Sequence, residues 1–397
     1  MKNKIAFVCQ RYGLEVNGGA ELYCRQMAEK LTSIYDIEVF TTCAIDYVTW
    51  RDEYKPGTEV INGVTVHRYC VDRERKERPF ANISNRVLGN PNHSDTEEQK
   101  WIDEQGPVCT ELIDELKRVH AGYKTVIFMT YLYYLTVKGS ACHFDNAILI
   151  PTVHDEPPVY LRCYDDVFES AKGIIWNMPE EKAFAEKRFP RICGKPGIMA
   201  GIGVNVPTNP FPELPEELQG QDYVVYAGRI DESKGCGEMF QFFRKYKEQY
   251  GGGLKLALMG KPVMSVPKNS DIVNLGFVSD EMKFKVMQDA KALLLFSHFE
   301  SLSMVVLESM TMGRPVIVNG KCEVLKGHCI RSNAGLYFDN YPEFAGCLNY
   351  LLSHHDVYEA MRINGKRYVE ENYQWDVIVE KIQGLIVKVT EKNEEKK

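Results

Sequence analysis

The sequence that decides the fold is FSHFESLSMVVLESMTMGRPVIV, residues 296–318. The apolar run at 292–296 predicts a buried parallel strand, and the run at 315–318 predicts a second one. Between them, residues 303–312 predict a short helix that ends at Gly313. This is a strand–loop–helix–strand unit, and its loop lies at the carboxyl end of a strand, where open α/β sheets bind ligands.

Two carboxylates flank this loop. Glu300 is placed at the tip of the loop, and Glu308 follows in the predicted helix. The free backbone amides at the start of the helix, near Ser303, suit a phosphate group. Carboxylates on both sides of an anion site suit a ligand with hydroxyls on both sides of a diphosphate, which describes a nucleotide-sugar. The alternative is that both glutamates are solvated side chains beside a helix.

The stretch resembles the E-x7-E region of the retaining GT-B glycosyltransferases of family 4, the large group 1 family. By this resemblance, Glu300 meets the hydroxyls of the donor sugar and Glu308 binds the ribose hydroxyls of the nucleotide. The donor-binding residues between them are Ser301, Leu302, Ser303 and Met304. Many relatives have glycines where this chain has the two serines, so its donor-sugar preference can differ. Either serine is also a candidate cap for the helix.

The length of the chain, 397 residues, exceeds the roughly 250–300 residues that one core usually supports, so two domains are expected. Strands alternate with helices, as in doubly wound parallel sheets, and a proline-rich segment at 205–221 marks a linker. The resemblance implies an α/β GT-B architecture, with two Rossmann-like domains facing a central cleft. We expect an acceptor-binding domain at 1–205, a donor-binding domain at 206–374, and a C-terminal helix at 375–391 that crosses back onto the first domain.

Three local predictions concern the first domain. The dipeptide Asn62-Gly63 predicts the two-residue turn of a β-hairpin. Residues 97–119 predict one long amphipathic helix. The polar segment 70–99 has little periodicity, and it predicts either a solvated insertion or a mobile loop on the acceptor side of the cleft.

The second domain begins with VVYAGRIDESKG, residues 224–235. Arg229 and Lys234 follow a predicted strand that ends at Gly228. Cations at that place would neutralise a diphosphate and stabilise the charge that grows on it as the glycosidic bond breaks. The element is similar to the family's G-R…K-G element, whose arginine and lysine hold the donor diphosphate. The alternative is a pair of surface cations beside two acidic residues.

Two further segments resemble parts of the family's donor site. Gly260 follows a predicted strand whose end commonly carries a glycine near the donor. Phe277 and Val278 resemble the "GxV" segment that lies against the nucleobase. Ordinary helix packing explains the latter two residues equally well.

The first domain opens with a glycine loop between its first strand and first helix. Gly18 and Gly19 permit a close approach of backbone to a ligand, although a tight turn is the alternative. They resemble the family's Gly-Gly-x-E loop, which closes over the donor phosphate and the acceptor. Arg11 and Tyr12 lie in the same stretch and are predicted to face the acceptor.

A histidine and an aspartate follow the predicted strand at 147–151. The family often has a His-Asp pair here, so the resemblance places His154 beside the donor sugar and the incoming acceptor. It implies that Asp155 orients the histidine or touches the acceptor. The alternative is that His154 has only a structural role.

Composition narrows the class of protein. The net charge of −7 gives no basic character, so nothing points to nucleic acid. The twelve cysteines are scattered without a CxxC pair, and no secretory signal opens the chain, so free thiols in a reducing cytoplasm are expected. No apolar run reaches the ~18 residues of a membrane span. Peripheral contact with the inner face of the membrane remains compatible with the sequence.

Together these features predict a retaining glycosyltransferase that moves a sugar from a nucleotide-diphosphate sugar to an acceptor hydroxyl. The resemblance suggests a sugar or lipid-linked sugar as the acceptor, in bacterial polysaccharide, O-antigen or glycoconjugate synthesis. The predicted catalytic residues are Arg229, Lys234, Glu300 and His154. Neither a metal site nor a cofactor is predicted, since the expected loop has no Asp-x-Asp pair. The alternatives are a non-catalytic GT-B partner subunit and a sugar-nucleotide 2-epimerase.

Overall fold

The computed structural model describes residues 2–394. The chain divides into two compact units: the residues up to 202 together with those from 375 onward form the first, and Gly203–Gln374 form the second. Each unit is an α/β domain with its own sheet, so the predicted fold class is confirmed. The assignment of acceptor to the first unit and donor to the second stays a prediction.

The sheet of the first unit has the order β3-β4-β2-β1-β5-β6-β7-β8 among the described residues. Its strands are β1 (Lys4–Val8), β2 (Asp36–Thr42), β3 (Gly57–Ile61), β4 (Val64–Tyr69), β5 (Thr125–Met129), β6 (Ala147–Ile150), β7 (Gly173–Trp176) and β8 (Gly197–Met199). All neighbours pair in parallel except the β3–β4 hairpin, whose predicted Asn62-Gly63 turn is confirmed by the pairing of Ile61 with Val64. The inner strands are continuous apolar runs because helices cover both faces of the sheet.

The helices of the first unit connect these strands. They are α1 (Gly19–Leu31), α2 (Glu77–Leu88), α3 (Asp95–Gln105), α4 (Thr110–Val119), α5 (Tyr134–Ser140), α6 (Cys163–Ser170) and α7 (Pro179–Arg188).

The prediction of one long helix over 97–119 is wrong, since α3 and α4 are separate. Gly106 has a φ of +64°, and the next residue, Pro107, has no N–H to donate to a preceding turn. Helix α3 also begins earlier than predicted, because Ser94 and Glu97 form a capping box at its start.

The segment 70–99 is more ordered than predicted. It contains all of α2, and Ile83 and Val87 of that helix are buried in the core of the first unit. Their spacing of four residues puts both on one helix face. The prediction of a wholly solvated or mobile segment is therefore wrong for α2.

The second unit has a six-stranded parallel sheet of order β11-β10-β9-β12-β13-β14. Its strands are β9 (Tyr223–Ala227), β10 (Lys255–Met259), β11 (Ile272–Asn274), β12 (Leu293–Leu295), β13 (Val316–Asn319) and β14 (Gly335–Phe338). Its helices are α8 (Cys236–Tyr250), α9 (Asp280–Asp289), α10 (Met304–Thr311), α11 (Glu323–Ser332), α12 (Tyr341–Ser353) and α13 (His355–Asn372). The strand order reverses direction between β9 and β12, so their carboxyl ends flank a switch point where such sheets bind ligands.

The last helix, α14 (Trp375–Glu394), belongs to the first unit. It packs against β7 and β8, and a Cβ on Gly173 of β7 would meet the side chains of Leu385 and Val389. The glycine therefore permits this helix to lie close to the sheet. Within residues 2–394, no helix is both long and apolar enough to cross a membrane.

Candidate active site

Lys234 and Glu300 are brought together at the switch point of the second sheet. The ammonium of Lys234 lies 2.8 Å from the Glu300 carboxylate, although 66 residues separate them in sequence. The residue after Lys234 explains the approach. Gly235 has a φ of +70°, and a Cβ there would lie 2.2 Å from the carbonyl oxygen of Phe296, just beyond β12. A side chain at Gly235 would push the lysine turn away from the Glu300 loop.

Arg229 lies on the same turn as Lys234, and Asp231 organises both. The Asp231 carboxylate pairs with the Arg229 guanidinium and accepts the backbone N–H of Lys234 at 3.0 Å. Although burial acts in the opposite direction, hydrogen bonds from Ser233 and Arg229 lower the pKa of Asp231. Asp231 therefore fixes the guanidinium of Arg229 and the backbone of Lys234 within one turn.

The carboxyl ends of β9 and β10 approach one another closely. Gly228 follows β9, Gly260 follows β10, and a Cβ on Gly260 would lie 1.8 Å from the carbonyl oxygen of Gly228. Both have a strongly positive φ. No other residue type fits at Gly260 without moving the backbone, which gives a physical reason for the glycine that the sequence pattern singled out.

Glu308 is held by a lysine that the sequence pattern did not identify. The Lys283 ammonium, on α9, lies 2.8 Å from the Glu308 carboxylate on α10, and both side chains are largely buried. Burial raises the pKa of Glu308, while the charge of Lys283 opposes that rise. Burial alone would lower the pKa of Lys283, but the charge of Glu308 raises it overall. Lys283 is thus a charged partner that orients the carboxylate.

The N-terminus of α10 lies between the two glutamates. Ser303 is the N-cap residue with a φ of +65°, and its side chain makes no capping hydrogen bond. The prediction that this serine caps the helix is wrong, because a capping side chain requires an extended N-cap backbone. The Ser303 Oγ is buried and has no hydrogen-bond partner among the described residues. The helix start thus offers free amides and an unpaired hydroxyl.

The loop before α10 is fixed by His328 of α11. Its Nε2 donates to the carbonyl oxygen of Leu302 at 2.6 Å, and its Nδ1 faces the Tyr368 hydroxyl at 3.1 Å. Burial lowers the pKa of His328 to about 4. The imidazole is therefore neutral at physiological pH, donating through Nε2 and accepting through Nδ1.

Phe277 and Val278 follow β11 and differ in exposure. The Phe277 ring is 77% exposed, while Val278 is half-buried. Gly276 precedes them, and its carbonyl accepts the N–H of Gly260 at 2.7 Å. This hydrogen bond connects the segment to the end of β10, and the Phe277 ring is exposed to solvent.

In the first unit, the glycine loop is held by an ion pair. The Arg11 guanidinium donates to Glu21 at 2.6 Å and to the carbonyls of Ile45 and Asn17. A Cβ on Gly18 would lie 2.1 Å from the Glu21 carboxylate, so a side chain there would displace Glu21 from this pair. Gly19, exposed at the start of α1, is the next residue of the loop.

The same contacts bear on the predicted acceptor residues. Arg11 is almost fully buried, and Tyr12 is completely buried. The carbonyl of Tyr12 accepts a hydrogen bond from Arg68 at 2.7 Å. In this structure both side chains are buried and stabilise the loop, so neither is exposed to contact a ligand.

His154 and Asp155 follow β6, as predicted, and each has an identified partner. The imidazole of His154 lies 3.5 Å from Glu156, which also accepts the Tyr131 hydroxyl at 2.6 Å. Although burial acts in the opposite direction, His154 and Tyr131 lower the pKa of Glu156. The exposed Asp155 accepts the Tyr160 hydroxyl at 2.7 Å. His154 is thus oriented by a carboxylate two residues later, and Asp155 faces solvent.

Glu181 fixes the backbone that carries His154. This buried carboxylate on α7 accepts the N–H of Val153 at 2.9 Å and the N–H of Asn177 at 2.5 Å. Burial raises the pKa of Glu181 to about 8, against the effect of these backbone donors. Its place in the first turn of a helix that begins with a proline was the available sequence signal, but that pattern is also typical of an ordinary exposed helix start.

Comparisons with known proteins agree with this architecture. Residues 212–368 match the family model described as Glycosyl transferases group 1. An uncharacterized glycosyltransferase from Methanocaldococcus jannaschii is 26% identical over 165 residues, which cover 39% of this chain and 42% of that protein. The aligned part thus spans less than half of the relative's length.

Solved structures match nearly the whole chain. Sucrose-phosphate synthase from Thermosynechococcus elongatus has a TM-score of 0.70 at 16% identity, covering 98% of this chain and 99% of the other. Anabaena HepE, in complex with UDP and glucose, has a TM-score of 0.67 at 14% identity, covering 97% and 100%. Trehalose-6-phosphate from E. coli bound with UDP-2-fluoro glucose has a TM-score of 0.70 at 12% identity, covering 96% and 99%. Residues 212–368 thus resemble a glycosyl transferases group 1 domain, and the fold of the chain is that of GT-B glycosyltransferases.

Proposed function

We propose that this protein is a retaining glycosyltransferase that transfers a sugar from a nucleotide-diphosphate sugar to an acceptor hydroxyl without a catalytic metal ion. The observation that carries the proposal is the ion pair between Lys234 and Glu300 at the switch point of the second sheet. Each partner in it can serve a different part of one donor. The ammonium faces the diphosphate, and the carboxylate accepts hydrogen bonds from sugar hydroxyls.

The diphosphate would bind where positive potential converges. Arg229 and Lys234 supply two formal charges, and the start of α10 supplies backbone amides and the helix dipole. The buried and unpartnered Ser303 hydroxyl is a further donor for a phosphate oxygen. These groups would stabilise the leaving diphosphate, whose charge grows as the bond to the sugar breaks.

The nucleoside would bind around Glu308 and Phe277. Vicinal ribose hydroxyls can donate to a carboxylate, and the charge of Lys283 favours the ionised form of Glu308 and orients it for that purpose. The exposed ring of Phe277 offers a stacking surface for a base. Backbone groups of Gly276 to Val278 could read the base edge, so the side chains here do not specify which base binds.

The acceptor would be served by His154 and Asp155, the former oriented by Glu156. The acceptor oxygen attacks the sugar carbon from the face that the diphosphate leaves, and its proton passes to the departing phosphate oxygen. One carbon–oxygen bond forms and one breaks on the same face, so the anomeric configuration is retained. No enzyme nucleophile is needed. Arg11 and Tyr12 are given a supporting role because both are buried.

The pathway follows from the resemblance rather than from the geometry. A sugar or lipid-linked sugar acceptor at the cytoplasmic face of the membrane, in polysaccharide, O-antigen or glycoconjugate assembly, is the setting proposed. Among the structural neighbours, Anabaena HepE is described in complex with UDP and glucose. UDP-glucose is therefore the first donor to test.

The experiment has two stages. In the first stage, the unfolding temperature is measured with UDP, GDP, ADP, CMP and dTDP. In the second stage, the protein is incubated with sugar donors that carry the nucleotide found to bind, and the products are analysed by mass spectrometry and NMR. A shift with one diphosphate, followed by slow donor hydrolysis or transfer with unchanged anomeric configuration, is expected. An epimer formed from donor alone would indicate an epimerase. The absence of any shift would indicate a non-catalytic subunit.

A further inference from the structure

Two cysteines and an aspartate meet where β2 and β4 of the first sheet end, and none of the three is assigned a role above. The sulfurs of Cys43 and Cys70 and a carboxylate oxygen of Asp52 all lie within 4.8 Å of one another. Cys43 is buried, whereas Cys70 and Asp52 are exposed. We call these three residues the thiol–carboxylate cluster.

Strand register brings the two cysteines together. Thr42 and Tyr69 are paired at the ends of the parallel strands β2 and β4, and Cys43 and Cys70 are the next residues on each. The N–H of Cys43 donates to the carbonyl of Tyr69 at 2.9 Å, which continues the ladder by one step. Side chains at paired positions of neighbouring strands lie on the same face of the sheet. The pairing of β2 with β4 therefore brings the two sulfurs next to each other.

The aspartate is oriented toward the sulfurs by the backbone. Asp52 forms an isolated antiparallel bridge with Ala44, and its Oδ1 accepts the N–H of Val71 at 3.1 Å. Three ligand atoms from three chain segments are therefore already close together.

We propose that the thiol–carboxylate cluster binds one thiophilic divalent cation, of the zinc class, through Cys43, Cys70 and Asp52. Thiolates and carboxylates are both zinc ligands, and solvent would complete a tetrahedron on the exposed side. Binding releases two thiol protons to solvent, and the ion takes their place between the three ligands. The hydrogen bond from Val71 is the outer contact that aims the carboxylate.

The bound ion would fix the loop that supports the glycine loop. The carbonyl of Cys43 accepts the N–H groups of Glu53 and Tyr54, both at 2.9 Å, and the carbonyl of Ile45 accepts from Arg11. Cross-linking residues 43, 52 and 70 therefore stiffens a segment that holds Arg11 in place. The role is structural, and the inference does not depend on the proposed transferase activity.

The test is a cadmium titration of the whole protein, kept reduced with a phosphine that has no thiol. Sulfur-to-cadmium charge-transfer absorption should saturate at one ion per chain, with release of two protons measured in a weakly buffered solution. Zinc should compete for the same site and raise the unfolding temperature in proportion to its occupancy. Neither readout involves enzymatic activity.

Variants separate this site from adventitious thiol binding. Cys70→Ser changes an exposed residue, so it should fold and lose the stoichiometric absorption. Asp52→Asn should keep the absorption but bind at least about tenfold more weakly, because even an outer contact is worth about 10- to 100-fold in metal affinity. Cys193→Ser removes another exposed cysteine of the same unit and should titrate like the wild type. Wild-type titration by Cys70→Ser, or no saturation at one equivalent in the wild type, would overturn the proposal.

Discussion

The Nε2 of His328 lies 2.6 Å from the carbonyl oxygen of Leu302, in the loop between the two glutamates of the second unit. The bond is buried, and the hydroxyl of Tyr368 holds the other ring nitrogen. Ser303 follows Leu302 and begins α10 in a left-handed conformation. A histidine on a different helix thus fixes the backbone from which the amides at the start of α10 project.

Replacing His328 with leucine should weaken donor binding without abolishing the chemistry. The Leu302 carbonyl would lose its partner in a buried place, which costs about 1–3 kcal/mol of stability. The amides at the start of α10 would then be less well placed. We expect KM for the nucleotide-sugar to rise about tenfold, equivalent to ~1.4 kcal/mol, with a smaller change in kcat.

Two variants control for a simple loss of packing. His328→Gln retains an N–H donor for Leu302 and should restore most of the donor affinity. Tyr368→Phe removes only the outer hydrogen bond and should leave KM close to the wild-type value. If His328→Leu were as unstable as expected but bound the donor normally, the histidine would have no positioning role.

His328 also predicts a pH dependence of stability. Its pKa in the folded state is about 4, below the ordinary value of 6.5. Between pH 4 and pH 6.5, His328 is therefore protonated in the unfolded chain and neutral in the folded chain. This contribution to stability is present above pH 6.5 and is lost as the pH falls toward 4, by on the order of 3 kcal/mol.

The measurement is the free energy of unfolding across this pH range for the wild type and for His328→Gln. The glutamine does not titrate, so the difference between the two proteins should change with pH in the direction just given. Parallel pH curves for the two proteins would show that His328 does not titrate with a lowered pKa.

Much of the fold could be predicted because buried parallel strands leave a plain trace in the sequence. The apolar runs at 292–296 and 315–318 coincide with β12 and β13 to within a residue or two. Residues 97–119 misled because their apolar spacing continues across Gly106 and Pro107, where the backbone breaks. The dipeptide itself was the available signal for that break.

The candidate site was only half visible for a related reason. Lys234 and Glu300 belong to motifs with fixed local spacing, so a resemblance could find them. Lys283 meets Glu308 across 25 residues, and His328 meets Leu302 across 26. Such pairs have no local pattern, and only the packing of one helix against another brings them together.

Lys234→Ala should slow transfer strongly while leaving the fold intact. The ammonium is partly exposed and makes one ion pair with Glu300, so its removal is a small structural change. The substitution removes a positive charge that stabilises the negative charge growing on the leaving diphosphate. Loss of such a contact typically lowers kcat by about 10²–10³. Arg244→Ala is the matched control, since Arg244 is an exposed cation on α8 paired with Glu248. Equal rates for the two variants would exclude Lys234 from the site.

Glu308 can be tested through the ribose it is proposed to bind. In the wild type, the preferred nucleoside diphosphate should bind about tenfold or more tightly than its 2′,3′-dideoxy analogue, because the analogue offers the buried carboxylate no donor in addition to Lys283. In Glu308→Gln this preference should shrink, since the amide can offer only one accepting oxygen. Calorimetry with both ligands gives the comparison. Lys283→Met leaves Glu308 present but unpaired, and it should also reduce the affinity for the nucleoside diphosphate. An unchanged preference of Glu308→Gln for the ribose form over the dideoxy form would contradict the assignment.

Removal of divalent ions should not stop transfer. Positive charge in the donor site comes from Arg229, Lys234 and the start of α10, so a chelator takes away nothing that the leaving group needs. We expect the initial rate in EDTA to equal that in magnesium or manganese. The assay is run in parallel on Cys70→Ser, whose thiol–carboxylate cluster is disabled, so that any effect transmitted through that cluster disappears in the variant. Strong inhibition by EDTA that manganese reverses in both proteins would place a metal ion at the donor diphosphate and contradict the proposed mechanism.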